Sequence, residues 1–566
     1  MANHTIRLGK LLAANSLLLL LAGNATAQLG AKKEVFTHQD TLRGTIGTGR
    51  IGWDVLHYDV TVQPDYAGKT ISGKNIIKFY DSGAKMMQID MQEPMIIDSI
   101  IRDYNNSKVP FSREGNVYWA EYRDPKAMYK IKPGPASITV YFHGKPVEAK
   151  RPPWDGGWIW KKDKQGSPWM SVACQGLGAS VWMPCKDHQS DEPDNGAILR
   201  MIVPDSLTAV GNGRMIGKQS AGNGLTQYNW EVKNPINSYN IIPYIGKYSH
   251  FGEKYKGEKG MLDMDYWVLD SNLTKAKTHF ADARRTMEAL EHWFGPYPFY
   301  EDGYKLVESP HLGMEHQSAV AYGNQYKKGY MGNDLSGTGW GLKWDFIIVH
   351  ESGHEWFGNN ITSKDVADMW IHEGFTNYSE TLFTDYFYGK EAGNDYLVGI
   401  RKGIQNDAPI IGHYGVNKEG SGDMYNKGGN MLQTIRYVIG NDKKFRNILR
   451  GLNKTFYHQT VTTAQVENYI SQKAGRNLST VFDQYLRSTK IPVLEYKSDG
   501  KNLSFRWTNC VQGFDLPVRV SFDSNTKKQQ LLYPGTEWKS MKHPKNFDIK
   551  QFKPDRNFYI TAKNVG

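Results

Sequence analysis

The pentapeptide His350-Glu351-Ser352-Gly353-His354 constrains this chain more tightly than any other segment. It follows the apolar lead-in Trp344-Asp345-Phe346-Ile347-Ile348-Val349, and together they predict a buried helix over 344–357. On a helix, positions i and i+4 share a face, so His350 and His354 can point their imidazoles at one metal ion. Glu351 is then close enough to reach a water at that point without being a ligand itself. Zinc suits two neutral imidazoles plus one carboxylate, and such a site keeps a fourth position for water.

A second helix is expected over 368–388, and it contains Trp370-Ile371-His372-Glu373-Gly374-Phe375. Gly358-Asn359-Asn360 ends the first helix, so the second can pack back antiparallel. Glu373, after eighteen intervening residues beyond His354, then arrives as third ligand. One zinc ion per chain, on His350, His354 and Glu373, is the expectation.

The remaining pattern places this site in a larger frame. At 566 residues the chain exceeds one ordinary core. Over 52–248 short alternating runs such as Leu56-His57-Tyr58-Asp59-Val60-Thr61-Val62 recur between Gly, Pro and Asp, as do 75–79, 138–142 and 198–203. They predict a β-rich domain. Helical periodicity takes over next: Ser271 is the expected cap of a helix ending at Phe294 before Gly295-Pro296, and further helices fit 429–439, 442–452, 463–473 and 478–487. After Ile491-Pro492 the chain returns to strands such as Leu503-Ser504-Phe505-Arg506-Trp507, enough for a small β-sandwich. The boundaries are therefore 1–27, 28–250, 251–490 and 491–566.

Arg7 and Lys10, the apolar run 11–22 and Ala25-Thr26-Ala27 form the pattern of a secretory signal peptide cleaved before Gln28. The expected location is periplasmic or extracellular, with no membrane span. Three cysteines make no disulfide framework: either Cys174 and Cys185 pair, or Cys174, Cys185 and Cys510 are all small buried hydrophobes. The net charge of +11 is spread along the chain and interleaved with acids, which argues against a nucleic-acid partner.

Three further motifs accompany the metal pattern: Leu312-Gly313-Met314-Glu315-His316, Tyr425-Asn426-Lys427-Gly428, and Gln175-Gly176-Leu177-Gly178-Ala179. With the H-E-x-x-H, eighteen residues and E arrangement, the chain resembles the gluzincin aminopeptidases of peptidase family M1, of the aminopeptidase N and leukotriene A4 hydrolase type. His372 replaces the Asn usual before the third ligand, and Leu312 and His316 depart from the family's G-x-M-E-N strand. The resemblance implies a multidomain α+β fold: an N-terminal β-saddle domain, a thermolysin-like α/β catalytic domain and a small C-terminal β-sandwich. It implies that Glu315, helped by Gln175, binds the free α-amine of a peptide, with Gly313 and Met314 beside the substrate. Tyr425 would donate to the oxyanion, and Glu351 would be the general base. Glu380, seven residues past Glu373, is a candidate to orient a ligand.

These readings predict a monomeric zinc aminopeptidase acting on peptides with a free N-terminus. The alternatives are a thermolysin-like endopeptidase, a bifunctional epoxide hydrolase suggested by Gln175, and a catalytically inactive peptide-binding protein.

Overall fold

The computed structural model describes residues 34–123, 133–523, 529–545 and 547–566. The expected signal peptide lies outside them. The architecture below is that of the compact unit 39–566. No described helix is long and apolar enough to cross a membrane.

The predicted alternating runs all fall in one eight-stranded sheet. Its spatial order is Arg214–Gly222, Leu225–Val232, Ala197–Pro204, Trp53–Asp65, Thr70–Asp81, Gly134–Gly144, Ile96–Arg102 and Ser107–Lys108. Alternation, reset by a bulge between Val55 and His57, sends Trp53, Val55, Tyr58, Val60 and Val62 inward from one strand. A second sheet of four strands, Thr208–Val210, Tyr244–Gly246, Pro168–Ala173 and Gly157–Lys162, packs its apolar side chains into the same core. Gln175 follows two residues after this sheet's strand ends at Ala173.

The next part of the chain begins with strands β1 (Tyr248–Gly257) and β2 (Gly260–Leu269), continues through β3 (Tyr304–Glu308) and ends its sheet with β4 (Gly313–Met314) and β5 (Val320–Tyr322). They form one sheet in the order β1-β2-β3-β5-β4, with β2, β3 and β5 parallel. Val307, Met314 and Ala321 belong to the N-terminal core, whereas Leu306, Val320 and Tyr322 pack under the helices. The sheet is thus the shared wall between two cores. Among its helices are α1 (Leu273–His279), α2 (Ala281–Phe294), α3 (Phe346–Gly353), α4 (Trp370–Tyr388) and α5 (Asn426–Ile439). Further helices span Asp442–Thr455, Thr463–Ala474 and Ser479–Leu486. The C-terminal strands form sheets of four and three, and their core residues Leu494, Trp507, Val518 and Val520 continue the core under the helices.

Four expectations are corrected. Ser271 does not cap a helix; it lies in the 3₁₀ turn Asp270–Asn272. The helix predicted to reach Phe294 unbroken is divided at Phe280, which is buried against Tyr266, Tyr322 and Tyr326. Cys174 and Cys185 are both buried and unbridged. Cys510 is only half-buried.

Candidate active site

The apolar lead-in folds into α3, though the regular helix is shorter than the pattern suggests. Asp345 caps it, accepting from Ile348 N at 3.1 Å through one carboxylate oxygen. Its other oxygen accepts from His279 Nε2 at 2.6 Å and Tyr322 OH at 2.8 Å. The regular helix stops at Gly353, and residues Glu355–Asn359 make one wider turn. There Gly358 adopts φ 130°, which favours glycine, and a Cβ would stand 3.2 Å from His354 Nδ1. The chain therefore turns away directly beside the second imidazole.

From α4, Glu373 enters between the two histidines. Its Oε2 lies 3.6 Å from His350 Nε2 and 3.3 Å from His354 Nε2. Both Nδ1 atoms are committed elsewhere: His350 Nδ1 donates to Glu380 Oε1 at 2.8 Å and His354 Nδ1 to Phe357 O at 3.0 Å. Each ring thus keeps its Nε2 lone pair for the space they share. Glu380 is itself held by Tyr396 OH at 2.6 Å. Glu373 Oε2 is buried, and no group among the described residues satisfies it with a well-formed hydrogen bond. Burial alone would raise its carboxyl, but the nearby imidazoles of His354 and His350 outweigh that and lower it. Two imidazole nitrogens and one orphaned carboxylate oxygen, all within 4.8 Å of one another, fit a single tetrahedral cation with an open fourth position.

The second cluster overlaps the first. Strand β4 runs so close to α3 that a Cβ on Gly313 would lie 2.7 Å from Glu351 Oε1 and 2.8 Å from Ile347 Cγ2. Two residues on, Glu315 is only 2% exposed. Its Oε1 accepts from Gln175 Nε2 at 2.5 Å and from Tyr239 OH at 2.9 Å, while Asn359 Nδ2 holds its backbone carbonyl at 2.9 Å. Ligand atoms of Glu315, Glu351 and His354 also lie within 4.8 Å of one another. Burial raises Glu351 to about 7 against the pull of His350 and His354, with Glu315 and Glu373 adding to the rise. Burial raises Glu315 as well. Met314 points the other way, into the N-terminal core.

Tyr425 immediately precedes α5, and its ring stacks on His350 with 6.0 Å between centroids. Burial, then the charges of Glu373 and Glu419, hold its phenol well above the ordinary value, so it remains a donor. Lys427, two residues on, is buried and donates to Ser488 O at 2.8 Å, away from the cleft.

All the predicted site residues thus converge on one cleft except Met314. The departures from the family pattern also find a place: His316 is buried with Nδ1 2.5 Å from Tyr244 OH, and His372 Nε2 accepts from Ser363 N at 2.8 Å. Sequence reasoning missed Tyr239 and Asn359, which hold Glu315, because no spacing rule ties them to the histidines.

Comparison with known proteins places this geometry. The family model described as "Peptidase family M1 domain" matches residues 280–485. A leucyl aminopeptidase of Saccharolobus solfataricus is 20% identical over 429 residues, 73% of this chain and 52% of that protein. A leukotriene A-4 hydrolase of Xenopus laevis is 23% identical over 332 residues, 55% of this chain and 51% of its own length. The chain thus spans about half the length of these curated relatives. Among solved structures, a point mutant of an M1 zinc metallopeptidase of Deinococcus radiodurans, bound to a Tyr-Ser-Ala substrate, has a TM-score of 0.63 at 20% identity. That match covers 77% of this chain and 95% of the other. Helices α3 and α4, Glu315 and Tyr425 all fall inside the segment 280–485 that the peptidase family M1 model matches.

Proposed function

We propose that this protein is a zinc aminopeptidase that removes single residues from the free N-terminus of peptides. The observation that carries this reading is the overlap of two sites. The Glu315 carboxylate, aimed by Gln175 and Tyr239, has a ligand atom within 4.8 Å of those of Glu351 and His354. A buried carboxylate pairs strongly with an ammonium and poorly with a neutral internal amide. Its closeness to Glu351 sets the reacting bond one residue from the amine.

His350 Nε2, His354 Nε2 and Glu373 Oε2 would hold the ion. Bound there, zinc supplies Lewis acidity to the attacking water and to the scissile carbonyl oxygen. Glu351 takes a proton from that water and delivers it to the departing amine nitrogen. A carboxyl raised to about 7 suits both duties near neutral pH. Tyr425 OH donates to the carbonyl oxygen as negative charge develops there. Glu315 fixes the α-ammonium, and Gln175 and Tyr239 keep its carboxylate in one rotamer. Glu380 keeps the His350 ring oriented with Nε2 toward the ion.

The test compares a free peptide with its N-acetylated form, each with and without chelator. The reading expects release of the N-terminal residue from the free peptide only, and loss of that release with chelator. Equal cleavage of both forms would establish an endopeptidase instead. The apolar run 11–22 and Ala25-Thr26-Ala27 support export as well, and a mature protein beginning at Gln28 is the expected result of N-terminal sequencing.

A further inference from the structure

Gln175 reaches Glu315 from a loop, residues 174–178, that a distant part of the chain pins from both sides. Gly178 N donates to Cys174 O at 2.6 Å, which closes the loop into one tight turn around Gln175. Gly178 itself adopts φ 90°. A Cβ there would overlap both Arg43 Nη2 and Asp187 Oδ2, so the turn can lie this close to an ion pair only without a side chain.

Arg43 belongs to the segment 39–50, far upstream of the loop. Its Nη2 lies 3.1 Å from Asp187 Oδ1, and its Nη1 donates to Asp187 O. Asp187 is buried, and its other carboxylate oxygen accepts from Ser180 N at 3.0 Å and Ser180 Oγ at 2.5 Å. Asp187 thus joins Arg43 to the turn Ala179–Val181 that directly follows the loop. Behind it, Asp187 N donates to Asp90 Oδ2 at 2.8 Å, and Arg50 Nη2 donates to the same oxygen at 2.7 Å. Arg50 Nη1 also donates to Arg43 O at 3.0 Å and Thr45 O at 2.8 Å, which folds the segment around this network. The other flank is held as well. Gly44 has no room for a Cβ against Val416 N and Asn417 N, and Asn417 Nδ2 donates to Gly176 O at 3.2 Å.

We propose that Arg43 is a positioning residue for the substrate α-amine: through Asp187 and Gly178 it holds the loop 174–178 so that the Gln175 amide stays on Glu315. Arg43 itself touches no substrate. The 2.5 Å hydrogen bond from Gln175 Nε2 to Glu315 Oε1 is made from a loop, and the loop's freedom must be removed before one amide can keep a buried carboxylate in a single rotamer. The Arg43 fork removes it by making two contacts with one buried residue. Without that partner Asp187 is a buried, underpaired charge beside Gly178, and the loop must shift to let water reach it. Arg50 is no substitute, because it reaches Asp187 only at the backbone carbonyl, 3.3 Å away, and its charge is taken by Asp90.

This role rests on the aminopeptidase reading, and a double-mutant cycle tests it separately. Arg43→Met, Gln175→Ala and the double variant are compared with the wild type on a leucyl coumarin amide, with zinc content and melting temperature measured alongside. The ammonium is bound alike in the ground state and the transition state, so each single change is expected to raise KM by about 10-fold and leave kcat within about twofold. If Arg43 acts through Gln175, adding Arg43→Met to Gln175→Ala changes KM by less than about twofold, whatever it does to the melting temperature. Arg43→Lys keeps the charge and loses the fork; it should raise KM by about threefold, again only where Gln175 is present, and it carries the test should Arg43→Met not fold. A wild-type KM in Arg43→Met, or the same KM rise with Gln175 absent as with it present, would overturn the Arg43 assignment while leaving the aminopeptidase intact. No cleavage of the amide by zinc-loaded wild type would overturn both.

Discussion

Gly374 and Gly428 face each other where α4 crosses the start of α5: a Cβ on Gly428 would stand 3.0 Å from Gly374 Cα. Gly374 follows Glu373, and Gly428 lies three residues beyond Tyr425. The close approach of two backbones without side chains therefore sets how near Tyr425 comes to the metal-facing helices. Gly428→Ala should force the helices apart, lowering kcat by up to about 10²-fold while zinc content stays at the wild-type level. Steady-state kinetics alongside metal analysis checks this; wild-type kcat would show that the contact does not position Tyr425.

Gly313→Ala addresses the base from the opposite side. The new Cβ meets Glu351 Oε1 at 2.7 Å and Ile347 Cγ2 at 2.8 Å, so Glu351 must swing away. The expected outcome is a fall in kcat with metal retained. Glu351→Gln should match it in both respects, because the two changes remove the same proton acceptor by different routes.

Glu380 tests the orientation of His350. Losing the 2.8 Å hydrogen bond to Nδ1 frees the ring to rotate and to change tautomer. Glu380→Ala is expected to weaken zinc binding by about 10- to 100-fold, measured by competition with a chelator of known affinity. Tyr396→Phe, which removes only the phenol behind Glu380, should weaken it less.

Lys305 gives a stability prediction far from turnover. It is 2% exposed, and burial lowers its pKa from 10.5 to about 8, with Asp265 and Asp302 opposing. Its Nζ donates to Gly213 O and lies 5.3 Å from the Trp230 ring. A depressed folded pKa means that the unfolded chain binds the proton more tightly between these two values. Unfolding free energy should therefore gain up to about 1.4 kcal/mol per pH unit from this residue between pH 8 and 10.5, and that contribution is lost as pH falls through about 8. Denaturant melts at pH 8 and pH 10 should show the gain in the wild type and not in Lys305→Met.

Much of this site was legible before any coordinates because its logic is local. His350 and His354 are one helical turn apart, and the apolar residues before them demand burial, so a shared face was a geometric necessity. The motifs at Glu315, Gln175 and Tyr425 were legible only through family resemblance, since nothing in their own spacing ties them to a histidine. Other features lay beyond sequence patterns. The regular helix ends at Gly353 rather than 357 because Gly358 takes a left-handed conformation beside His354. The break at Phe280 follows from the aromatic cluster that buries it, which is assembled from β2 and from segments forty or more residues downstream. Tyr239 was silent for the same reason: it looks like an ordinary packing tyrosine until the chain folds its hydroxyl onto Glu315.

The most direct test is an anomalous difference map from crystals of the zinc-loaded protein. The account predicts one strong peak within about 2.0–2.2 Å of His350 Nε2, His354 Nε2 and a Glu373 carboxylate oxygen. A zinc-loaded crystal with no peak between these three side chains, or with the ion held by other residues, would contradict it.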